Sequence, residues 1–158
     1  EGRVEKIDMK EELQGAIEEA FPPNLAFHIQ LKKDLHEGLP PLMMQRAHLR
    51  EIMVNLLVNA REAAGENGMV QVSCRPSPQY AIELRVKNSG EGIPPDQREQ
   101  IFEAYFTTKK KGTGLGLAIV KQNTELYGGE IVVESELGVG TEFILTFPTR
   151  VLLQQNES

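Results

Sequence analysis

Lys109-Lys-Lys-Gly-Thr-Gly-Leu-Gly-Leu117, a basic loop running into a helix, is the stretch on which the reading of the fold turns. Gly112, Gly114 and Gly116 fall at every second position, and Leu117-Ala-Ile-Val120 opens a strongly apolar segment. Glycines let backbone approach a ligand closely and take φ > 0 without strain. The unpaired N–H groups of the following helix, with the positive end of its dipole, face whatever sits there. Such a helix start suits an anion, and a phosphate chain is the occupant it suits best. Taken alone the signal is weak, because a glycine-rich turn before a helix is more often only a turn. The stretch is neither a P-loop, lacking Gly-Lys-Ser/Thr, nor Gly-x-Gly-x-x-Gly after a strand. Its meaning depends on the rest of the chain.

The chain has 158 residues, enough for one sizeable core, and 40% hydrophobic with 25% charged residues is ordinary for a globular domain. One domain is expected over residues 1–150, followed by a polar tail over 151–158. With 17 Lys and Arg against 23 Asp and Glu, the net charge of −6 argues against a general nucleic-acid surface. The longest apolar runs, such as Ile52–Val58 with Asn55 inside it, fall far short of a membrane span, and no signal-peptide pattern opens the chain. No direct membrane contact is expected, and the cytoplasm is the default location. Cys74 is the single cysteine and lies in an apolar-alternating stretch, which predicts a buried structural thiol rather than a nucleophile. The chain opens at Glu1, without Met, inside a charged segment; this reads as a piece of a longer protein.

Residues 8–20 have the pattern of an amphipathic helix capped by Asp8 and stopped by Pro22-Pro23. Asn24–Leu35 alternates as a half-buried strand. His36-Glu37 and Pro41-Leu42 have the spacing of a phosphoacceptor motif, but Gly38 and Pro40-Pro41 would break the helix such a motif needs, so a polar turn is expected. His28 and His48 lack neighbours at metal-ligand spacing and read as structural or surface residues. Met44–Ala64 is the longest helical pattern. Asn55 and Asn59 interrupt it one turn apart on one side. Asn is a poor interior residue for a helix. The pair either bonds to neighbouring backbone or offers carbonyl oxygens to a hard cation or phosphate. Met69–Arg75 and Tyr80–Asn88 are expected as a hairpin, Asp96–Glu103 as a short helix capped by Asp96, and Gly114–Tyr127 as the third main helix. Glu130–Ser135 and Thr141–Phe147 are expected as two final strands. Gly90 and Gly92, ending a strand, suggest backbone brought against a flat ligand, or a simple loop.

The order of motifs is specific: Asn55-Leu-Leu-Val-Asn59-Ala, Asn88-Ser-Gly-Glu-Gly92-Ile-Pro, Phe102-x-x-Tyr-Phe-Thr-Thr-Lys109, Gly112-Thr-Gly-Leu-Gly-Leu117 and Gly138-Val-Gly-Thr141-x-Phe143. Together they resemble the N box, first glycine box, F box, second glycine box and final glycine motif of the catalytic ATP-binding domain of two-component histidine kinases. Nitrogen-regulation-type and sporulation-type kinases are the most similar in form. The resemblance runs roughly from Ile7 to Pro148. It implies the Bergerat fold, α+β: a two-layer α/β sandwich whose mixed sheet of about five strands carries three main helices on one face.

Further implications concern the site. By the resemblance Asn59 would coordinate magnesium and Asn55 would contact phosphate; an amide at Asn55, where related ATPases carry Glu, suits transfer to a protein acceptor better than hydrolysis. Gly90, Gly92 and Ile93 would border adenine, with Phe102 packed nearby. The stretch Glu103–Thr113 would be the ATP lid. Thr108, Lys109, Gly112, Thr113, Gly114, Leu115, Gly116 and Leu117 would surround the phosphates, Lys109 meeting the outer ones, and Thr141 would support the adenine contact. The implied cofactors are ATP and Mg2+. The implied partners are a histidine-containing dimerisation domain of the same kinase and a response regulator, placing the chain in the cytoplasmic part of a larger, membrane-bound or soluble sensor.

Two departures stand out. Asn88 replaces the Asp that normally accepts from the adenine amino group, so the contact loses its charge. An amide can also turn round and donate, which would weaken rejection of guanine. A natural variant with weaker binding, an introduced substitution and a degenerate domain are all open. Glu62 stands where some relatives place a basic or aromatic residue. The leading function is the ATP-binding part of a protein-histidine kinase. The alternatives are a nucleotide-binding regulatory pseudokinase module and a serine kinase acting on an anti-sigma partner.

Overall fold

The computed structural model describes residues 2–24, 28–78, 81–106 and 116–149. A short strand β1 (Val4–Ile7) leads into α1 (Met9–Ala20), followed by β2 (Gln30–Leu35), β3 (Leu42–Gln45) and α2 (Arg46–Ala64). The chain continues through β4 (Met69–Ser77) and β5 (Ala81–Ser89), then α3 (Gly116–Leu126), β6 (Glu130–Glu136) and β7 (Gly140–Pro148).

Among the described residues the main sheet has five strands in the order β2-β4-β5-β7-β6. Only β2 and β4 run parallel; the other neighbours are antiparallel. β1 and β3 form a separate two-stranded antiparallel sheet. The five-stranded mixed sheet and three helices agree with the expected two-layer α+β sandwich. The small second sheet is not predicted by the sequence: Met44 and Gln45, the expected start of the long helix, instead extend Leu42 and Met43 as a strand that pairs with Val4–Ile7.

Local chemistry accounts for the elements. The Asp8 carboxylate caps α1 by accepting from the Glu11 N–H at 3.2 Å. The helix ends at Phe21, whose backbone leaves the helical region at φ −126° as Pro22 requires. Met9, Leu13, Ala16, Ile17 and Ala20 recur at helical spacing and are buried. β4, β5 and β7 alternate strictly: Val70, Val72 and Cys74, then Ile82, Leu84 and Val86, then Phe143, Leu145 and Phe147 all point into the core. The opposite face carries Arg75, Glu83, Arg85 and Glu142, which pair with one another in water. Helix α2 lies centrally, packed on β4 and β5 below and on α1 and α3 at its sides. Its stripe Leu49, Ile52, Met53, Leu56, Leu57 and Ala60 is buried against them.

Two further elements differ from what the sequence predicts. The early strand starts at Gln30, not Asn24, and Leu25, Ala26 and Phe27 lie outside the described residues. Residues 95–102 form two short 3-10 turns, Pro95–Gln97 and Gln100–Phe102, in place of one helix, and Asp96 makes no capping bond. His36 does lie in an exposed turn after β2, its N–H donating to Cys74 O at 2.9 Å.

Candidate functional site

The end of β5 and the start of β7 lie side by side. The C-terminal end of α2 reaches the loop after β5, where a Cβ on Gly90 would stand 2.5 Å from Ala63 O, and the start of α3 faces the middle of α2. Period two along β5 places Asn88 in the inward row behind Ile82, Leu84 and Val86. It is 2% exposed, and its cross-strand partner on β7 is Thr141, 6% exposed. Thr141 in turn pairs with Ser135 on β6. The apolar inward rows of three adjacent strands thus finish in Asn88, Thr141 and Ser135, side by side.

The hydrogen bonds of this row fix which atoms remain free. Asn88 Nδ2 donates to Ser89 O at 2.8 Å, while Asn88 Oδ1 is buried without a partner. Turning the amide would set two carbonyl oxygens against each other, so Oδ1 stays the unsatisfied acceptor. Leaving it so costs on the order of 1–3 kcal/mol unless a ligand donor fills it. Ser135 Oγ lies 3.0 Å from Gly140 O, to which it donates, and accepts from the Ile93 N–H at 2.8 Å. The Thr141 hydroxyl, 2.8 Å away, must then donate to Ser135 and keeps only acceptor capacity.

The loop after β5 is drawn onto the β6–β7 turn. Gly90 N–H donates to Val139 O at 3.2 Å, and Gly138 N–H donates to Glu91 O at 2.8 Å. Gly92 has φ +83°, and a Cβ there would stand 2.6 Å from Glu136 O, so both its conformation and its contact require glycine. Ile93 is half-buried against the core. Phe102 meets Phe143 edge-on at 6.1 Å, with Lys121 Nζ 5.7 Å above its ring. Core packing accounts for this aromatic.

Across the cleft, Asn55 and Asn59 stand half-buried one turn apart on α2. Asn55 Nδ2 donates back to Glu51 O at 2.8 Å, which leaves its Oδ1 directed towards α3. A Cβ on Gly116 would lie 3.0 Å from that oxygen. The Asn59 side chain, in the middle of α2, has no hydrogen-bond partner among the described residues. The two readings of the pair therefore meet within one side chain: Asn55 uses its nitrogen on the backbone and keeps its oxygen for the cleft. Leu117 packs on the core at the start of α3. Thr108, Lys109, Gly112, Thr113, Gly114 and Leu115 lie outside the described residues.

Sequence reasoning missed Ser135 and Arg98. Arg98 Nε donates to Ile93 O at 3.3 Å and its Nη2 to Ser135 O at 2.6 Å. Only the β6–β7 register could have brought Ser135 forward. His48 is structural as expected: its Nδ1 lies 2.6 Å from the Tyr127 hydroxyl, which also accepts from the Gln45 N–H. Cys74 is fully buried, and burial pushes its thiol up to about 12, which rules out a thiolate near neutrality. On the outer sheet face the hydrogen bond from Arg85, seconded by Arg75, holds the Glu83 carboxyl below the usual range. The hollow there is lined by Asp34, Gln71, Ser73, Arg75, Arg85, Lys87 and Glu142; Arg75 and Arg85 pair with Glu83, and Arg85 also with Glu142.

The residues present fit Mg-ATP. A buried acceptor without a donor awaits an amino group, backbone at Gly92 is shaped for close approach, and carboxamide oxygens on α2 suit a hard cation. No cluster of three or more His, Cys, Asp or Glu side chains is placed to hold a metal among the described residues. Fold and site define a nucleotide-binding α/β sandwich domain. Residues 44–151 match the family described as histidine kinase-, DNA gyrase B- and HSP90-like ATPase, and the chain belongs to that family, as a catalytic ATP-binding domain of the histidine kinase type. It is 39% identical over 123 residues to the sensor histidine kinase ZraS of Escherichia coli K12, covering 78% of this chain and 26% of ZraS. It is 35% identical over 123 residues to sporulation kinase E of Bacillus subtilis 168, covering 78% of this chain and 17% of that kinase. The crystal structure of full-length ShkA in complex with AMPPNP superposes with a TM-score of 0.83 at 30% identity, covering 96% of this chain and 32% of ShkA. The chain thus spans about a quarter of ZraS and less of sporulation kinase E. No helix among the described residues is long and apolar enough to cross a membrane.

Proposed function

We propose that this domain binds Mg-ATP between the β5–β7 edge and the α2–α3 cleft and delivers the γ-phosphoryl group to a histidine on a separate dimerisation domain of the same kinase. That histidine would then serve a response regulator. In the transfer an imidazole nitrogen forms a bond to γ-phosphorus while the bond to the β–γ bridging oxygen breaks; ADP leaves with that electron pair and the proton on the other imidazole nitrogen passes to solvent. The observation that carries the reading is the buried, partnerless Oδ1 of Asn88, an acceptor matched to the adenine amino group.

Asn88, with Thr141 beside it, orients the base, and Gly92 lets the loop backbone lie flat against it. Asn59 would hold magnesium through its carboxamide oxygen and Oδ1 of Asn55 would contact phosphate nearby, the metal supplying neutralisation of phosphate charge when bound. Lys109 and the amides leading into α3 would hold the outer phosphates, so that the domain works by positioning and charge neutralisation rather than by proton abstraction. The amide at Asn55 cannot take a proton from water, which favours transfer over hydrolysis.

Calorimetric titration with ATP and GTP in the presence of magnesium tests binding; absence of heat with millimolar ATP overturns the reading. Transfer is tested with labelled ATP. The chain alone retains no label, and a dimerisation domain added in trans acquires it on histidine. ATP-dependent association without transfer would favour the regulatory pseudokinase, for which the uncharged Asn88 is the supporting residue.

A further inference from the structure

We infer that Arg98 is a positioning residue for purine recognition, a clamp that sets the adenine-bordering loop before nucleotide arrives. The inference rests on the nucleotide reading above. Arg98 closes the 3-10 turn Pro95–Gln97, and that turn folds the chain back so that its guanidinium reaches a residue five positions earlier. There it donates to Ile93 O at 3.3 Å and to Ser135 O at 2.6 Å. The Ile93 N–H already donates to Ser135 Oγ at 2.8 Å. Both backbone polar groups of Ile93 are therefore occupied, one by Ser135 and one by Arg98, and Arg98 ties the loop and β6 to a single planar group.

Geometry makes this more than loop packing. Ser135 Oγ is also the acceptor for the Thr141 hydroxyl, and Thr141 stands opposite Asn88. Arg98 holds the main chain of the residue whose hydroxyl sets the proton direction at Thr141 and leaves an acceptor beside the acceptor of Asn88. Its fork makes two bonds at once, which a single ammonium cannot reproduce. Among the described residues it is the one charged side chain whose hydrogen bonds reach both the loop and β6. A rigid clamp lowers the ordering cost when the base binds, without touching the base.

The test uses Arg98→Ala and Arg98→Lys in the intact chain. In the empty domain, amide exchange at Ile93 is expected to speed up about tenfold in Arg98→Ala and less in Arg98→Lys, while exchange in the β4–β5 core is unchanged. ATP affinity is expected to fall about tenfold in Arg98→Ala, with GTP affinity little altered, so that discrimination between the two narrows. The lysine variant recovers part of both effects. Unchanged Ile93 protection, or equal losses for ATP and GTP, overturns the clamp. If the unmodified protein binds neither nucleotide while Ile93 exchange responds as stated, the nucleotide reading fails and the purine role fails with it, leaving only a loop staple.

Discussion

Asn55 Oδ1 and Gly116 face each other across the α2–α3 cleft so closely that a Cβ on Gly116 would stand 3.0 Å from that oxygen. Gly116→Ala should therefore separate two properties. Alanine favours helix by up to about 1 kcal/mol over glycine, so thermal stability is expected to hold or rise slightly. The intruding methyl displaces either Asn55 or the start of α3, and ATP affinity is expected to fall at least about tenfold. Melting curves beside calorimetry check both. A large drop in melting temperature would mean that the contact supports the fold rather than the ligand.

Asn88→Asp is expected to tighten ATP by roughly 1 kcal/mol, about fivefold, since a charged acceptor bonds more strongly. The same change costs the empty domain stability, because a carboxylate oxygen replaces the Nδ2 that donates to Ser89 O at 2.8 Å. GTP should bind more weakly than ATP in both proteins, because the amide of the parent is held by that bond and the carboxylate of the variant has no hydrogen to donate to a guanine carbonyl. Unchanged ATP affinity would mean that residue 88 does not meet the base.

Asn59→Ala removes a half-buried carboxamide that has no protein partner among the described residues. Melting temperature should move little, and ATP affinity is expected to fall about tenfold with magnesium present and hardly at all with EDTA. Equal losses under both conditions would place Asn59 on the nucleotide and away from the metal.

Cys74 gives a pH test. Its folded thiol lies at about 12 against an ordinary 9.0, because burial disfavours the thiolate. The unfolded chain binds fewer protons between those values, so this contribution is complete below pH 9.0 and is lost as pH rises towards about 12. Cys74→Ala, compared with the parent by denaturant titration from pH 8 to pH 10.5, should show a shallower decline. Parallel curves would contradict the assignment.

Much of the site could be read in the sequence because its residues break local patterns. Asn55 and Asn59 stand out from an apolar helical stripe, and Asn88 from an alternating strand. The free acceptor at Asn88 could not be read, because it depends on the Ser89 carbonyl lying where the amide nitrogen must go. Ser135 and Arg98 stayed hidden for a related reason. Each is an unremarkable residue in its own segment and gains its role only from cross-strand register and a folded-back 3-10 turn. The strands Val4–Ile7 and Leu42–Gln45 are too short to show periodicity, and pairing across the intervening α1 and β2 creates them. The helix expected over Asp96–Glu103 resolves into two 3-10 turns, a segment too short for helical periodicity to decide its form.

Helix α2 belongs at once to the hydrophobic interior, through Ile52, Leu56 and Ala60, and to the cleft, through Asn55 and Asn59. One rigid rod thus reports on both, and occupancy of the cleft is thermodynamically linked to unfolding of the whole. Ligand at a hundredfold excess over its dissociation constant would add about 2.7 kcal/mol to global stability. The melting point of this domain is accordingly a nucleotide gauge, and substitutions buried far from the cleft on the same rod will masquerade as binding defects unless affinity and unfolding are measured together.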